Sequence, residues 1–121
     1  MKDNTDAMRK IFELAHSNAI AKGWWEKENI KDPNAIGAKI ALIHAEASEA
    51  LEEVRKGEGF YAMYSTEENP DKPEGLVVEL ADVIIRSADL CGALGLDLAG
   101  AIEAKMKYNA SRPHRHGGKA L

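Results

Sequence analysis

Two pairs of acidic residues are the part of this sequence best suited to chemistry. Glu46 and Glu49 form an E-x-x-E pair, and Glu79 and Asp82 form an E-x-x-D pair. Residues three apart on a helix point to the same side, so each pair directs its two carboxylates at a common spot. If the two helices lie side by side and antiparallel, all four carboxylates meet in one cluster.

Such a cluster requires a compensating charge. Two like charges about 4 Å apart repel by on the order of 4 kcal/mol at an effective dielectric constant of about 20. A site made only of carboxylate oxygens suits Mg²⁺ or Mn²⁺ better than Zn²⁺. A single E-x-x-E is common on exposed helices, but two matched pairs indicate a metal site. We therefore predict that Mg²⁺, or alternatively Mn²⁺, is held by Glu46, Glu49, Glu79 and Asp82.

The acids lie in two stretches with helical periodicity, from Ile36 to Arg55 and from Leu76 to Leu94. At about 100° per residue, each stretch has an apolar stripe with its acids on one flank, and the offset has the same sense in both. An antiparallel hairpin brings these flanks to the same side. The connection 57–75 contains Gly and Pro residues that exclude a long regular element. The expected core face of the first stretch comprises Ile36, Ile40, Ile43, Ala47, Ala50, Leu51 and Val54.

Two more helices complete the predicted architecture. The first begins at a cap on Asn4 or Thr5 and reaches about Lys22, and the last begins at Asp97 and stops before Pro113. We therefore predict an all-α, four-helix bundle in a single domain, 1–121, with a basic, glycine-containing tail at 110–121. Helix three, from Leu76 to Leu94, is apolar nearly all round, which predicts a homodimer or a dimer of dimers formed through that helix.

Candidate ligand-binding residues occur near the ends of two helices. Lys105, Asn109 and Arg112 form a line at the end of helix four, where their side chains can grip phosphate oxygens. Trp24 and Trp25 follow helix one directly. One of them is expected to plug the end of the bundle, and at least one can stack on a nucleobase.

Composition narrows the class of protein. The net charge of −4 argues against general binding to nucleic acids or to membrane surfaces. The lone Cys91 lies on the apolar side of its helix and is interpreted as a structural thiol. The sequence shows neither a signal-peptide pattern nor a run of about eighteen apolar residues, which leads us to expect a soluble, cytoplasmic protein.

With these motifs in place, the chain resembles the MazG-like, all-α nucleoside triphosphate pyrophosphohydrolases, a superfamily related to dimeric dUTPases and phosphoribosyl-ATP pyrophosphohydrolase. The resemblance covers nearly the whole chain and rests on LIHAEASEALEEVR, VVELADVII and KMKYNASRPHRHGGK. It implies a dimerising four-helix bundle that hydrolyses a nucleoside triphosphate to the monophosphate and pyrophosphate with Mg²⁺, as in nucleotide-pool house-cleaning. In such an enzyme Glu49 or Glu53 would act as the general base, and Lys105 and Arg112 would hold the outer phosphates.

Two other interpretations remain open from the sequence. Glu13 and His16 form an E-x-x-H pair, which together with the same acids would suit a di-iron or di-manganese carboxylate bundle, although such bundles use that motif on two helices. Alternatively, the protein is a non-catalytic, dimeric helical binding module whose acids form a solvated face.

Overall fold

The computed structural model describes all residues, 1–121, and contains five helices with no strand beyond an isolated bridge. The fold is therefore all-α and compatible with a helical bundle. The helices are α1 (Lys2–Ala21), α2 (Pro33–Arg55), α3 (Leu76–Leu94), α4 (Leu98–Ser111) and the single turn α5 (Arg115–Gly118).

Local chemistry sets most of the helix ends. Asp32 caps α2 by accepting a hydrogen bond from the backbone N–H of Asn34, and Pro33 occupies the first turn. Asp97 caps α4 in the same way through the N–H of Gly100. Gly95 ends α3 in the left-handed region, with φ of 69°. The end of α3 at Leu94 and the start of α4 after Asp97 agree with the sequence predictions.

The start of α1 differs from the prediction. The helix begins at Lys2, and Thr5 lies inside it as one of the most buried residues of the chain. The Thr5 hydroxyl lies 3.0 Å from the carbonyl oxygen of Met1 and 2.8 Å from Oε2 of Glu103. Because Glu103 belongs to α4, Thr5 joins two helices instead of capping one.

The helices pack in an open series. Helix α2 packs against α3, α3 against α1, and α1 against α4, whereas α2 and α4 make little or no contact with each other. The series is not closed into a ring, and only eight of the 121 residues are buried. A single chain therefore leaves much of its apolar surface uncovered.

The uncovered surface includes part of the expected core face. On α2 the buried residues are Glu46, Ala50 and Glu53, which lie toward the acidic flank. Part of the apolar stripe beside them faces outward, as does one side of α3. The exposed large apolar residues of these two helices are Ile40, Leu42, Leu51, Val54, Val77, Leu80, Ile84 and Ile85.

The connection between α2 and α3 is tied at both ends. Tyr64 and Glu74 pair as an antiparallel bridge, with N–O distances of 3.0 and 2.7 Å. Gly75 then starts α3 at φ of 123°, and a Cβ there would lie 2.8 Å from the carbonyl oxygen of Ala62. The connection is therefore folded back on itself, with turns in place of a long element, as its Gly and Pro residues led us to expect.

The tail contains the one element that the sequence did not predict. In α5, four successive residues from Arg115 to Gly118 have φ between 51° and 97°. This single turn is left-handed, a conformation that costs roughly 1–2 kcal/mol for each residue with a Cβ.

None of the helices combines the length and the apolar content needed to cross a bilayer.

Candidate metal centre

The two acidic pairs meet where α2 packs against α3. Glu46, Glu79 and Asp82 each offer a carboxylate oxygen, and these oxygens lie within 4.8 Å of one another. Glu46 also pairs with Arg86, one turn after Asp82, while Glu49 approaches Glu79. Later residues of α2 therefore face earlier residues of α3, which is the antiparallel arrangement that the sequence predicted.

Glu46 is the most deeply placed member of the cluster. Only 8% of this residue is exposed. Its Oε1 accepts a hydrogen bond of 2.8 Å from Nε of Arg86, whereas its buried Oε2 has no hydrogen-bond partner. A buried carboxylate oxygen without a partner is costly. Such an oxygen, beside two further carboxylates, fits the ligand preferences of a hard divalent cation.

Burial and crowding of the carboxylates raise the pKa values of Glu79 and Asp82. Burial, followed by the neighbouring Glu49 carboxylate, raises the pKa of Glu79 to about 7. Burial, followed by the charge of Glu46, also raises the pKa of Asp82, although Arg86 opposes that effect. Without a cation, the cluster therefore retains a proton at a pH where isolated carboxyl groups have lost theirs. Glu49 is exposed, but it also belongs to the acidic cluster because its carboxylate contacts that of Glu79.

Glu53 occupies a different environment, one turn after Glu49. Both of its oxygens lie within 3.1 Å of the Tyr64 hydroxyl, and Oε1 accepts a hydrogen bond of 2.9 Å from Nζ of Lys56. Hydrogen bonding from Lys56, and then from Tyr64, lowers the pKa of Glu53. The side chain thus links the end of α2 to the connection that follows it.

A cavity of about 550 Å³ opens beside the cluster. Glu46, Asp82 and Arg86 line one part of its wall, and Trp24 and Trp25 line another. Carboxylates, cationic side chains and indole rings therefore border the same space. A volume of this size suits a small organic ligand.

Trp25 is held in place by Asp89. The indole N–H donates a hydrogen bond of 2.8 Å to Oδ1 of Asp89, and the same oxygen lies 2.7 Å from Nδ1 of His16. Helices α1 and α3 approach each other closely here, and Gly92 leaves the room that the His16 ring occupies. A Cβ on Gly92 would lie 2.7 Å from Cγ of that ring. Three helical or turn segments are thus joined at one carboxylate.

The two tryptophans differ in their freedom to stack on a ligand. The ammonium group of Lys39 lies 4.5 Å from the centroid of the Trp25 ring, a cation–π contact that covers one face. Trp24 is 67% exposed. A planar ligand can reach Trp24 directly, whereas on Trp25 it must use the other face or displace Lys39.

The residues predicted to bind phosphate lie away from this cavity within one chain. Lys105, Asn109 and Arg112 are all on or just beyond α4, which packs mainly against α1. The Lys105 ammonium and the Arg112 guanidinium lie 5.0 and 5.6 Å from the ring centroid of Tyr108. None of the three lines the cavity beside the acids.

The remaining candidate residues are also separate from the cluster. His16 is bound to Asp89, and Glu13 lines a second cavity of about 440 Å³ between α1, the end of α3 and the start of α4. No histidine belongs to any group of potential metal ligands in the chain. Cys91 is partly buried, and burial raises its pKa, which agrees with an unreactive thiol.

Three residues of the site were not identified from the sequence. Arg86 and Asp89 follow Asp82 by four and seven positions, so all three lie on one side of α3. That spacing was the available signal for both residues. Lys39 is two turns before Glu46 on α2 and could have been found by the same criterion.

Comparison with known protein families, with curated proteins and with solved structures finds no match for this chain.

Proposed function

We propose that the protein is a Mg²⁺-dependent nucleoside triphosphate pyrophosphohydrolase of the MazG-like kind. It would cleave a ribo- or deoxyribonucleoside triphosphate to the monophosphate and pyrophosphate, in a role such as nucleotide-pool house-cleaning. We infer the reaction from the resemblance of three sequence motifs to this superfamily. The observation that carries the proposal is the buried, unpartnered oxygen of Glu46, set among carboxylates at the wall of a cavity that also contains two indoles.

The metal ligands in this proposal are Glu46, Glu79 and Asp82, with Glu49 beside them. When bound, Mg²⁺ supplies Lewis-acid neutralisation of the phosphate charge and lowers the pKa of water. Removing the proton held near Glu79 would accompany loading of the site, since a ligating carboxylate must be ionised. The indole of Trp25, fixed by Asp89, would orient the base and exclude water from one end of the cavity.

The general base is better assigned to Glu49 than to Glu53. Both oxygens of Glu53 are already hydrogen-bonded, and its lowered pKa makes it a weak proton acceptor. Glu49 is exposed, lies beside Glu79 and makes no ion pair. A carboxylate that reaches both solvent and the metal ligands is suited to accept the proton of an attacking water.

A second copy of the chain is part of the proposal. Eight large apolar residues of α2 and α3 are exposed in a single chain, as expected of helices that pack against a partner. Pairing through these helices, as a homodimer or a dimer of dimers, would cover them. It would also allow Lys105, Asn109 and Arg112 to act on phosphates in another chain's cavity, since they are remote from their own.

The other two interpretations receive less support from the geometry. A di-iron bundle needs histidine near the carboxylates, whereas His16 is bound to Asp89 and lies outside the cluster. A solvated acidic face does not suit Glu46, which is buried.

The decisive experiment is a screen of canonical and modified nucleoside triphosphates for pyrophosphate release with Mg²⁺. We expect release from at least one nucleotide, loss of it in Glu79→Gln, and retention in Glu52→Gln, whose carboxylate pairs only with Arg55 on the surface. Absence of release from every nucleotide would overturn the proposal. Bound iron in the purified protein would then favour the di-iron interpretation.

A further inference from the structure

Arg86 has more hydrogen-bonding capacity than the protein uses. Its guanidinium donates a single hydrogen bond, from Nε to Glu46, and neither terminal nitrogen has a protein acceptor. The side chain is 42% exposed and lines the cavity beside the acids. Four N–H donors in a planar fork are therefore free to bind an anion in that cavity.

The ion pair between Arg86 and Glu46 weakens when a cation binds to the same carboxylate. Arg86 supplies positive charge to a crowded set of carboxylates through Oε1 of Glu46, and a cation would take Oε2, the other oxygen of the same carboxylate. The two positive charges compete for one carboxylate and repel each other at short range. A cation at Glu46 therefore weakens the hold of that residue on the guanidinium.

A phosphate group that binds close to the acids needs a cationic side chain beside it. Phosphate oxygens near Glu46 and Asp82 meet negative charge, and the cationic residues of α4 are too remote in the same chain to offset it. Arg86 is the cationic side chain that already touches the cluster. Its planar fork matches the oxygens of a phosphate group better than a lysine does.

We propose that Arg86 exchanges partners: it binds Glu46 when no divalent cation is present, and it binds phosphate oxygens of the ligand once a cation occupies Glu46. The choice of a triphosphate as ligand rests on the proposed function. The exchange itself concerns binding alone and requires no turnover.

The test uses two probes with the full-length protein, neither of which depends on hydrolysis. Binding of Mn²⁺ alone is followed by electron paramagnetic resonance. Binding of inorganic tripolyphosphate, added with excess Mg²⁺, is followed by the fluorescence of the tryptophans that line the cavity. Arg86→Gln removes the charge, Arg86→Lys keeps the charge without the fork, and Arg55→Gln removes an exposed arginine paired with Glu52 as a control.

We expect opposite effects of Arg86→Gln on the two probes. Mn²⁺ should bind at least about tenfold more tightly, because its competitor is gone, and tripolyphosphate should bind about tenfold to a hundredfold more weakly. Arg86→Lys should leave Mn²⁺ affinity within about threefold of the wild type and still weaken tripolyphosphate binding by about tenfold. Arg55→Gln should change neither affinity.

The outcomes separate this inference from the proposed function. Equal or weaker Mn²⁺ binding in Arg86→Gln, or unchanged tripolyphosphate binding, would overturn the exchange. If Arg86→Gln loses its helical circular dichroism, Arg86→Lys decides, and unchanged tripolyphosphate binding in that variant counts against the inference. The wild type could bind both probes, and the variants could change the affinities as expected, while no nucleotide releases pyrophosphate. That result would refute the proposed reaction and leave the partner exchange of Arg86 standing.

Discussion

Replacing Glu79 by Gln tests the electrostatics of the acidic cluster without any assay of activity. The pKa of Glu79 is about 7 in the folded chain, against 4.5 for an ordinary Glu. At about 1.4 kcal/mol for each pKa unit, this difference corresponds to on the order of 3 kcal/mol. Because the folded-state pKa is raised, the stabilisation is complete below pH 4.5 and is lost as the pH rises through about 7. Gln does not titrate, so the variant should lack this loss.

The assay is urea unfolding followed by circular dichroism at several pH values from 4.5 to 8, with a chelator present and the protein concentration fixed. Relative to Glu79→Gln, the wild-type free energy of unfolding should fall by up to on the order of 3 kcal/mol across this range. Millimolar Mg²⁺ should restore wild-type stability at pH 8 and have little effect on the variant. Glu52→Gln, an exposed change on the same helix as Glu46, serves as the control.

Parallel pH profiles for the wild type and Glu79→Gln would refute this reasoning. They would mean that the carboxylates are separated or well solvated in solution, so that no proton is retained. A Mg²⁺ effect of equal size in both proteins would show that the cation binds elsewhere.

Further predictions address the interface, the helix ends and the ligand. Ile84→Glu should shift the protein to a smaller species in light scattering, because it charges an apolar residue that is 56% exposed; an unchanged mass would exclude α3 as the interface. Asp97→Ala should lower the free energy of unfolding by about 1–2 kcal/mol, because it removes both the cap of α4 and the two hydrogen bonds that Asp97 accepts from Arg9, and an unchanged urea midpoint would contradict this. Gly92→Ala should displace His16 and alter tryptophan fluorescence; an unaltered spectrum would argue against the contact. Arg112→Ala should raise the Michaelis constant for the nucleotide while Mn²⁺ affinity is unchanged, and an unaltered constant would remove Arg112 from the site.

Local features of the fold were predictable because neighbours in sequence determine them. Asp32 with Pro33, Gly95 and Asp97 mark helix ends through backbone hydrogen bonds and dihedral angles that involve only a few residues. The convergence of the acids was also predictable, since it follows from helical periodicity and an antiparallel connection. The left-handed turn of α5 was not, because two of its residues carry a Cβ and local preference opposes it.

The side of each helix that becomes buried was harder to predict. An apolar stripe indicates that a surface avoids water, but not whether the same chain or another copy covers it. Leu51 and Val54 belong to the expected core face of α2 and remain exposed, while Glu46 and Glu53 are buried. The long-range pairs of Glu46 with Arg86 and of Asp89 with His16 likewise depend on how the helices pack, which periodicity alone does not determine.

The bridge between Tyr64 and Glu74 makes the chain between them a separate closed loop. Because its ends are joined by two backbone hydrogen bonds, a change in its length does not have to move α2 or α3. Doubling the length of a flexible loop costs only about 0.6 kcal/mol in closure entropy. A short epitope or a fluorophore-binding peptide inserted near Asp71 should therefore be tolerated, and this loop offers a practical attachment point for reporters.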